Sequence, residues 1–285
     1  MKQLHRNVHN LEVLTSASNP FSVLQVSDIH IDSIKCDRKL FKKHLKQAEE
    51  REALVFINGD LLDVMGCAKD PRSSYSDVRP EYLVTNYLDA VIEDVIQMLS
   101  KYKVEYFIGQ GNHETNIFQR MHTDVTKRVV EGLKGKGLKA TMGGYSGWMI
   151  YTLQRNANGG RIPLKQFYHH GYGGNAPRSK GILKVDINMK NHPDANIITT
   201  GHDHNNWYLP VTVQRLNKQF KVQNSVVHNI DTGSYKKLGD GFAGWATEKG
   251  FANPTLGGWW TELIINRDIV KGKETNTALV KVSKA

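Results

Sequence analysis

Five short apolar runs in this chain each stop at residue types that bind metal ions, and that repeated coupling narrows the possible folds more than any other feature. The most explicit is 197–205, Ile-Ile-Thr-Thr-Gly-His-Asp-His-Asn. The β-branched run reads as a buried strand and the glycine as its end. His202 and His204 follow two residues apart, so both rings can serve one site, and neutral imidazole is the commonest metal ligand. Among twelve histidines, a lone Gly-His-X-His reads equally well as a surface turn. The other four runs decide against that.

Residues 21–26 form a strand-like run that leads into Asp28 and His30, a carboxylate and an imidazole placed to grip one cation from the same side. Residues 53–57 lead into Gly59, Asp60 and, one helical turn later, Asp63; a carboxylate has two oxygens and can bridge two cations. Residues 104–108 lead into Gly111, Asn112, His113 and Glu114, where the amide oxygen of Asn112 is a hard ligand and His113 sits where a general acid is wanted. The fourth run ends in His169, His170 and Gly171. Adjacent residues on a strand face opposite ways, so only one of these two histidines can enter a site.

Between the runs, 38–51 reads as a helix carrying Leu40, Phe41, His44, Leu45 and Ala48, with His44 a helix-face residue. Residues 86–99 give the clearest apolar stripe, and 118–133 reads as one further helix. From 148 onward, alternating strand-like segments dominate, at 149–153, 162–168, 207–216, 220–227 and 259–265. No internal repeat or low-complexity linker appears, so the expectation is one domain over 1–285, with 206–285 completing the second sheet and no separate cap.

A formal net charge of +10 over 285 residues favours polyanionic partners such as nucleic acid or phosphorylated substrates. Cys36 and Cys67 each follow a ligand-bearing segment and can lie close together, but two cysteines make no disulfide framework, and a reducing compartment is the simpler reading. Without a secretory signal or an apolar span, a soluble cytoplasmic protein with no membrane partner is expected.

Taken in order, Asp28-X-His30, Gly59-Asp60-X-X-Asp63, Gly111-Asn112-His113-Glu114, His170 and Gly201-His202-X-His204 resemble the complete signature of the calcineurin-like metallophosphoesterases over roughly residues 21–205. The resemblance implies an α/β (α+β) fold of four αββα layers, a two-sheet β-sandwich flanked by helices. It implies two divalent metal ions, manganese first, with iron, zinc or nickel as alternatives. Asp28, His30 and His204 would hold one, Asn112, His170 and His202 the other, and Asp60 would bridge them. His170 is preferred to His169 because the family's ligand directly precedes a glycine. Water activated between the metals would attack the phosphorus. His113 would protonate the leaving oxygen, with Asp63 orienting its ring.

Departures from the family narrow the expected branch. Ser/Thr protein phosphatases carry an arginine where Gln110 stands and Arg-Gly where Val64-Met65 stand. The double-strand-break repair nucleases usually have aspartate at the place of Glu114 and add a cap. The leading expectation is a phosphodiesterase or nuclease acting on DNA or RNA. A phosphomonoesterase or small-nucleotide phosphodiesterase is the alternative, and a non-catalytic nucleic-acid-binding protein a remote one. Two polar loops are candidates for substrate contact, 66–80 through Arg72 and Arg79, and 171–180 through Arg178 and Lys180. The glycine-rich stretch 239–258, with Phe242, Trp245 and Phe251, reads as a loop pinned by its aromatics, or as a base-stacking platform.

Overall fold

In the computed structural model the described residues are 1–67, 73–173, 179–216, 220–239, 255–270 and 273–285. Their elements run β1 (Lys2–His5), β2 (Val8–Leu14), β3 (Phe21–Val26), α1 (Arg38–Glu50), β4 (Leu54–Ile57), α2 (Tyr87–Leu99), β5 (Glu105–Ile108), α3 (Asn112–Met121), α4 (Val125–Gly135), β6 (Ala140–Met142), β7 (Ser146–Gln154), β8 (Ile162–His169), α5 (Lys184–Asn191), β9 (Ile197–Thr200), β10 (Asn206–Leu216), β11 (Val222–Thr232), β12 (Trp259–Val270) and β13 (Lys273–Lys284). They build a six-stranded sheet, ordered β13-β12-β3-β4-β5-β6, and a seven-stranded sheet, ordered β1-β2-β7-β8-β9-β11-β10. The expected two-sheet α/β architecture is therefore present.

The continuous apolar runs follow from burial on both faces. β3, β4, β5 and β6 pair in parallel, and parallel strands covered on both sides read as unbroken hydrophobic stretches. In β4, Leu54 and Phe56 point between the sheets, where they join Val23, Phe107, Tyr151, Tyr168 and Ile230. Val55 and Ile57 point the other way, into a second cluster with Phe41 and Leu45 of α1, Val91 and Val95 of α2 and Val129 of α4. A polar tie crosses the inter-sheet core. The amides of Gln25 on β3 and Gln166 on β8 exchange two hydrogen bonds of 3.0 Å, and the Tyr151 hydroxyl donates to Gln166 Oε1 at 2.9 Å. Such a pair holds one sheet in register on the other, because sliding would leave buried amides unpaired.

Several expectations change. The single helix over 118–133 is two: α3 ends at His122, whose φ of 53° is left-handed, and α4 restarts under Asp124, whose side chain accepts from the Lys127 amide at 2.9 Å. Residues 206–285 do not complete one sheet. β10 and β11 join the seven-stranded sheet, while β12 and β13 join the six-stranded one. β1 and β2 lie where no element was expected, β2 pairing in parallel with β7. Of the adjacent tryptophans, Trp260 is core, whereas Trp259 is partly buried and donates to the Asp231 carbonyl at 3.1 Å. Both cysteines are free and buried in the same cluster. Phe242, Trp245 and Phe251 lie outside the described residues. No helix among the described residues is long and apolar enough to cross a membrane.

His44 is more than a helix-face residue. Its ring is buried, with Nδ1 2.7 Å from the Tyr235 hydroxyl, and burial, helped by Lys43 and Lys284, pulls its pKa down to about 4. A histidine held neutral in the folded state stabilises fully above its unfolded value. As pH falls from about 6.5 towards 4, the unfolded chain takes up a proton that the folded chain refuses, and stability drops. Denaturant titrations at pH 7 and 4.5 should therefore show the His44→Leu/Tyr235→Phe double variant losing less on acidification than the parent, by on the order of 2 kcal/mol. Equal acid losses in both proteins would remove His44 from this role.

Candidate metal centre

The carboxyl ends of five strands deliver the chemistry. β3 leads to Asp28 and His30, β4 to Asp60 and Asp63, β5 to Asn112 and His113 in the first turn of α3, β8 to His170, and β9 to His202 and His204. Asp28, His30, Asp60, Asp63 and His170 are buried to within 1 %. Asp28, His30, Asp60, His202 and His204 all have φ between 48° and 75°, the left-handed region that non-glycine residues rarely occupy. Each such residue costs on the order of 1 kcal/mol or more, and strain gathered on one set of polar side chains marks a functional site.

These side chains form three overlapping groups whose ligand atoms lie within 4.8 Å of one another: Asp28, His30 and His204; His30, Asp60 and His113; and Asp60, His170 and His202. His204 Nε2 is 3.3 Å from Asp28 Oδ1 and 3.3 Å from His30 Nε2. On the other side, His170 Nε2 is 3.2 Å from Asp60 Oδ2 and 3.1 Å from Asn112 Oδ1, and His202 Nδ1 is 2.7 Å from the same Asn112 oxygen. Asp60 lies between the two halves.

Three of the four outward nitrogens face an acceptor of the protein. His30 Nδ1 is 2.8 Å from Asp63 Oδ1, His170 Nδ1 donates to the Asn58 carbonyl at 2.8 Å, and His202 Nε2 to the Gly173 carbonyl at 3.1 Å. Fixing the proton on one nitrogen turns the lone pair of the other towards the centre, the usual arrangement around a metal-binding histidine. Asp28 Oδ1 and His204 Nδ1 are buried without a hydrogen-bond partner. Convergent imidazole and carboxylate donors, with an orphaned carboxylate oxygen among them, fit divalent cations.

Charge on the site follows from the same packing. Burial would lower the pKa of His30, but the carboxylates of Asp63 and Asp28 prevail and push it up to about 10; Asp60 likewise raises His170 to about 9. Burial would raise Asp60, yet His170 and His113 hold it well below the usual carboxylate range. His202 is lowered, by burial first and then by His170. Ligation needs neutral imidazoles, so cation binding must displace protons that the carboxylates retain.

The supporting roles of three residues carried no sequence signal that was used. Glu114 accepts from the amides of Gly111 (2.9 Å), Leu62 (2.9 Å) and Asp60 (3.2 Å), tying the second ligand loop to the third. Asp32 accepts from the amides of Asp63 (2.6 Å) and Val64 (2.9 Å) and from the Tyr87 hydroxyl (2.6 Å), folding the turn that carries Asp63. Lys236 places its ammonium 2.8 and 2.9 Å from the two Asp63 oxygens. Glu114 and Asp32 stand in the motifs themselves, where the carboxylate could have been questioned. Lys236 lies 173 positions from Asp63 and carries no local signal. Two glycines are required by close approach: a Cβ on Gly111 would overlap Asp60 Oδ1, and one on Gly59, at φ 85°, would lie 2.6 Å from His170 Nδ1.

Other expected residues fare differently. His169 stays outside the cluster and accepts from the Gly171 amide at 2.8 Å, whereas His170 lies within it. Asp63 does not orient His113 mainly through its carboxylate, which is 3.6 Å from His113 Nδ1 and closer to His30; its backbone carbonyl, 2.5 Å away, meets that nitrogen. Arg79 is turned inward, donating to the Cys36 carbonyl at 3.0 Å. Lys180 is exposed, while Arg72 and Arg178 lie outside the described residues.

A family model described as calcineurin-like phosphoesterase matches residues 21–222, spanning all five ligand segments. No curated protein matches the sequence. Among solved structures, the wild-type Vps29 of Entamoeba histolytica complexed with zinc is similar at 12 % identity and a TM-score of 0.37, covering 91 % of this chain and 99 % of that one. A predicted phosphoesterase of Streptococcus pneumoniae is similar at 11 % identity and 0.30, covering 91 % and 98 %. GAP50 of Plasmodium is similar at 12 % identity and 0.42, covering 93 % and 88 %.

Proposed function

We infer that this chain, which belongs to the calcineurin-like phosphoesterase family, hydrolyses phosphate esters at a centre of two divalent cations and takes nucleic-acid phosphodiesters as substrate. The overlap of the His/Asp groups at Asp60 carries the reading, since one carboxylate placed between two donor sets is what a pair of neighbouring cations requires. Asp28, His30 and His204 would hold one cation, Asn112, His170 and His202 the other, and Asp60 both. The mixed oxygen and imidazole donors suit manganese, with iron, zinc or nickel as alternatives.

Bound divalent cations supply a lowered pKa for water and neutralisation of the phosphate oxygens. The remaining work falls to the chain. His113 Nδ1 faces the Asp63 carbonyl, a pure acceptor, so its proton stays there. Nε2 is then the atom that carries and releases a proton, and it points towards Asp60, with Oδ2 at 3.9 Å. The His113 amide also donates to Asp60 Oδ1 at 3.0 Å, which couples the acid to the central carboxylate. A general acid so fixed delivers its proton to the leaving oxygen.

The net charge of +10 and the exposed Lys180 support a polyanionic substrate. The inward engagement of Arg79 favours a smaller ester as the second reading, because it leaves one fewer cation of that loop turned to solvent for a polyanion. Two free, buried cysteines accord with work in a reducing compartment such as the cytoplasm. The test is a panel with manganese: single- and double-stranded DNA, RNA, a cyclic dinucleotide, and bis- and mono-p-nitrophenyl phosphate. Cleavage of oligonucleotides and of the bis ester is expected. Turnover of the mono ester alone would establish a monoesterase, and oligonucleotide binding without cleavage a non-catalytic binder. Oligonucleotide affinity of metal-free protein should fall with log salt by about 0.7 to 0.9 per phosphate contact.

A further inference from the structure

We propose that Lys236 is a positioning residue for this reaction, its ammonium fixing the Asp63 carboxylate and, through that carboxylate, the ring of His30. The inference rests on the phosphoesterase reading and adds to it a residue beyond the span that the family model matches.

Asp63 has two duties. Its carboxylate oxygen Oδ1 lies 2.8 Å from His30 Nδ1, and its backbone carbonyl lies 2.5 Å from His113 Nδ1. The first fixes a proposed cation ligand and the second the proposed acid. The Asp63 amide donates to Asp32 Oδ1 at 2.6 Å, so a second buried carboxylate lies against the same turn. Buried negative groups on one turn repel, and a cation alongside keeps the Asp63 carboxylate from turning away. Lys236 Nζ straddles the Asp63 carboxylate at 2.8 and 2.9 Å, contacting both oxygens, so rotation about the terminal bond breaks one contact or both. Its side chain is 15 % exposed, which leaves it little competition from water.

The backbone that brings Lys236 there is itself built onto the first ligand loop. The Tyr235 amide donates to the Asp28 carbonyl at 3.0 Å, and the Ser234 hydroxyl reaches the same oxygen at 2.9 Å. Ser27 Oγ donates to the Gly233 carbonyl at 3.0 Å, Cys36 and Lys236 form an isolated β-bridge, and the Lys236 amide returns to Ser234 Oγ at 3.0 Å. Residues 233–236 thus run along the loop bearing Asp28 and His30 and present a lysine to the loop bearing Asp63. A side chain serving only surface charge needs no such anchoring.

The experiment compares Lys236→Met, which keeps the apolar stem, with Lys236→Arg, whose planar fork can span both carboxylate oxygens. Both proteins are loaded with manganese and assayed on bis-p-nitrophenyl phosphate and on a diester with a poorer, alkyl-alcohol leaving group. Lys236→Met should keep the parent's metal content and a KM within about twofold, while kcat falls on the order of 10-fold or more, the range seen when the partner behind a site residue is removed. The fall should be alike on the two esters, because the backbone carbonyl that holds His113 does not depend on the Asp63 side chain, and Lys236→Arg should recover most of it. An unchanged kcat in Lys236→Met, a loss confined to the poorer leaving group, or one that arginine does not rescue overturns the proposal. If the parent hydrolyses no ester at all, the phosphoesterase reading fails instead. Ring-nitrogen NMR of the proteins loaded with diamagnetic zinc then reads Lys236 alone: His30, assigned by its disappearance in His30→Gln, should show a hydrogen-bonded Nδ1–H in the parent that shifts or broadens by exchange in Lys236→Met. Identical spectra in the two proteins would overturn the positioning role.

Discussion

Asp60→Asn should reduce phosphodiester turnover by on the order of 10³-fold, because losing one shared anionic ligand removes several kcal/mol of charge stabilisation and each 1.36 kcal/mol or so is tenfold in rate. The substitution changes almost nothing in shape. The remaining amide oxygen can still accept from the His113 amide, now at 3.0 Å from Oδ1. The charge is what disappears, and with it the attraction holding His170, 3.2 Å from Oδ2, and the centre of the three overlapping groups. Metal content should fall together with activity. Near-parental turnover in this variant would show that Asp60 does not bridge.

His113→Ala should behave differently. It should keep its metals, since the donors on either side remain, yet lose on the order of 10²-fold or more in turnover, the contribution typical of a general acid. The loss should shrink for p-nitrophenolate, which departs without a proton, and grow for an alcohol leaving group. Equal losses for both would leave His113 as a phosphate binder. Asp63→Asn offers the contrast: it retains the backbone carbonyl that meets His113 Nδ1 but weakens the ion pairs to His30 and Lys236, at 2.8 Å each.

Strands β3, β4, β5 and β9 were legible because they are covered on both faces, so burial writes them as unbroken apolar runs, and because function places a ligand directly after each. β2 was not: only His9 and Val13 of its residues are buried, and a histidine in a core position gives no apolar alternation. The break between α3 and α4 lacks glycine and proline. It rests on a left-handed His122, leaving Asp124 as the one local sign, a capping carboxylate three residues before the amide that it accepts from. Most of the ligand cluster was readable because each ligand carries its own local motif. Its supports were not, since they act across the chain. Lys236 reaches Asp63 from 173 residues away, and Arg79, which looked like a free cation in a polar loop, is held by the Cys36 carbonyl 43 residues back. Sequence order says where donors follow strands; only the packed structure says which charges are already engaged.

The central claim, hydrolysis at a two-cation centre, is tested most directly by titrating metal-free protein with manganese while following the initial rate of bis-p-nitrophenyl phosphate hydrolysis under conditions of tight binding. The rate should climb until two equivalents per chain are present and then stay level. A plateau at one equivalent, or no hydrolysis at any loading, would contradict it.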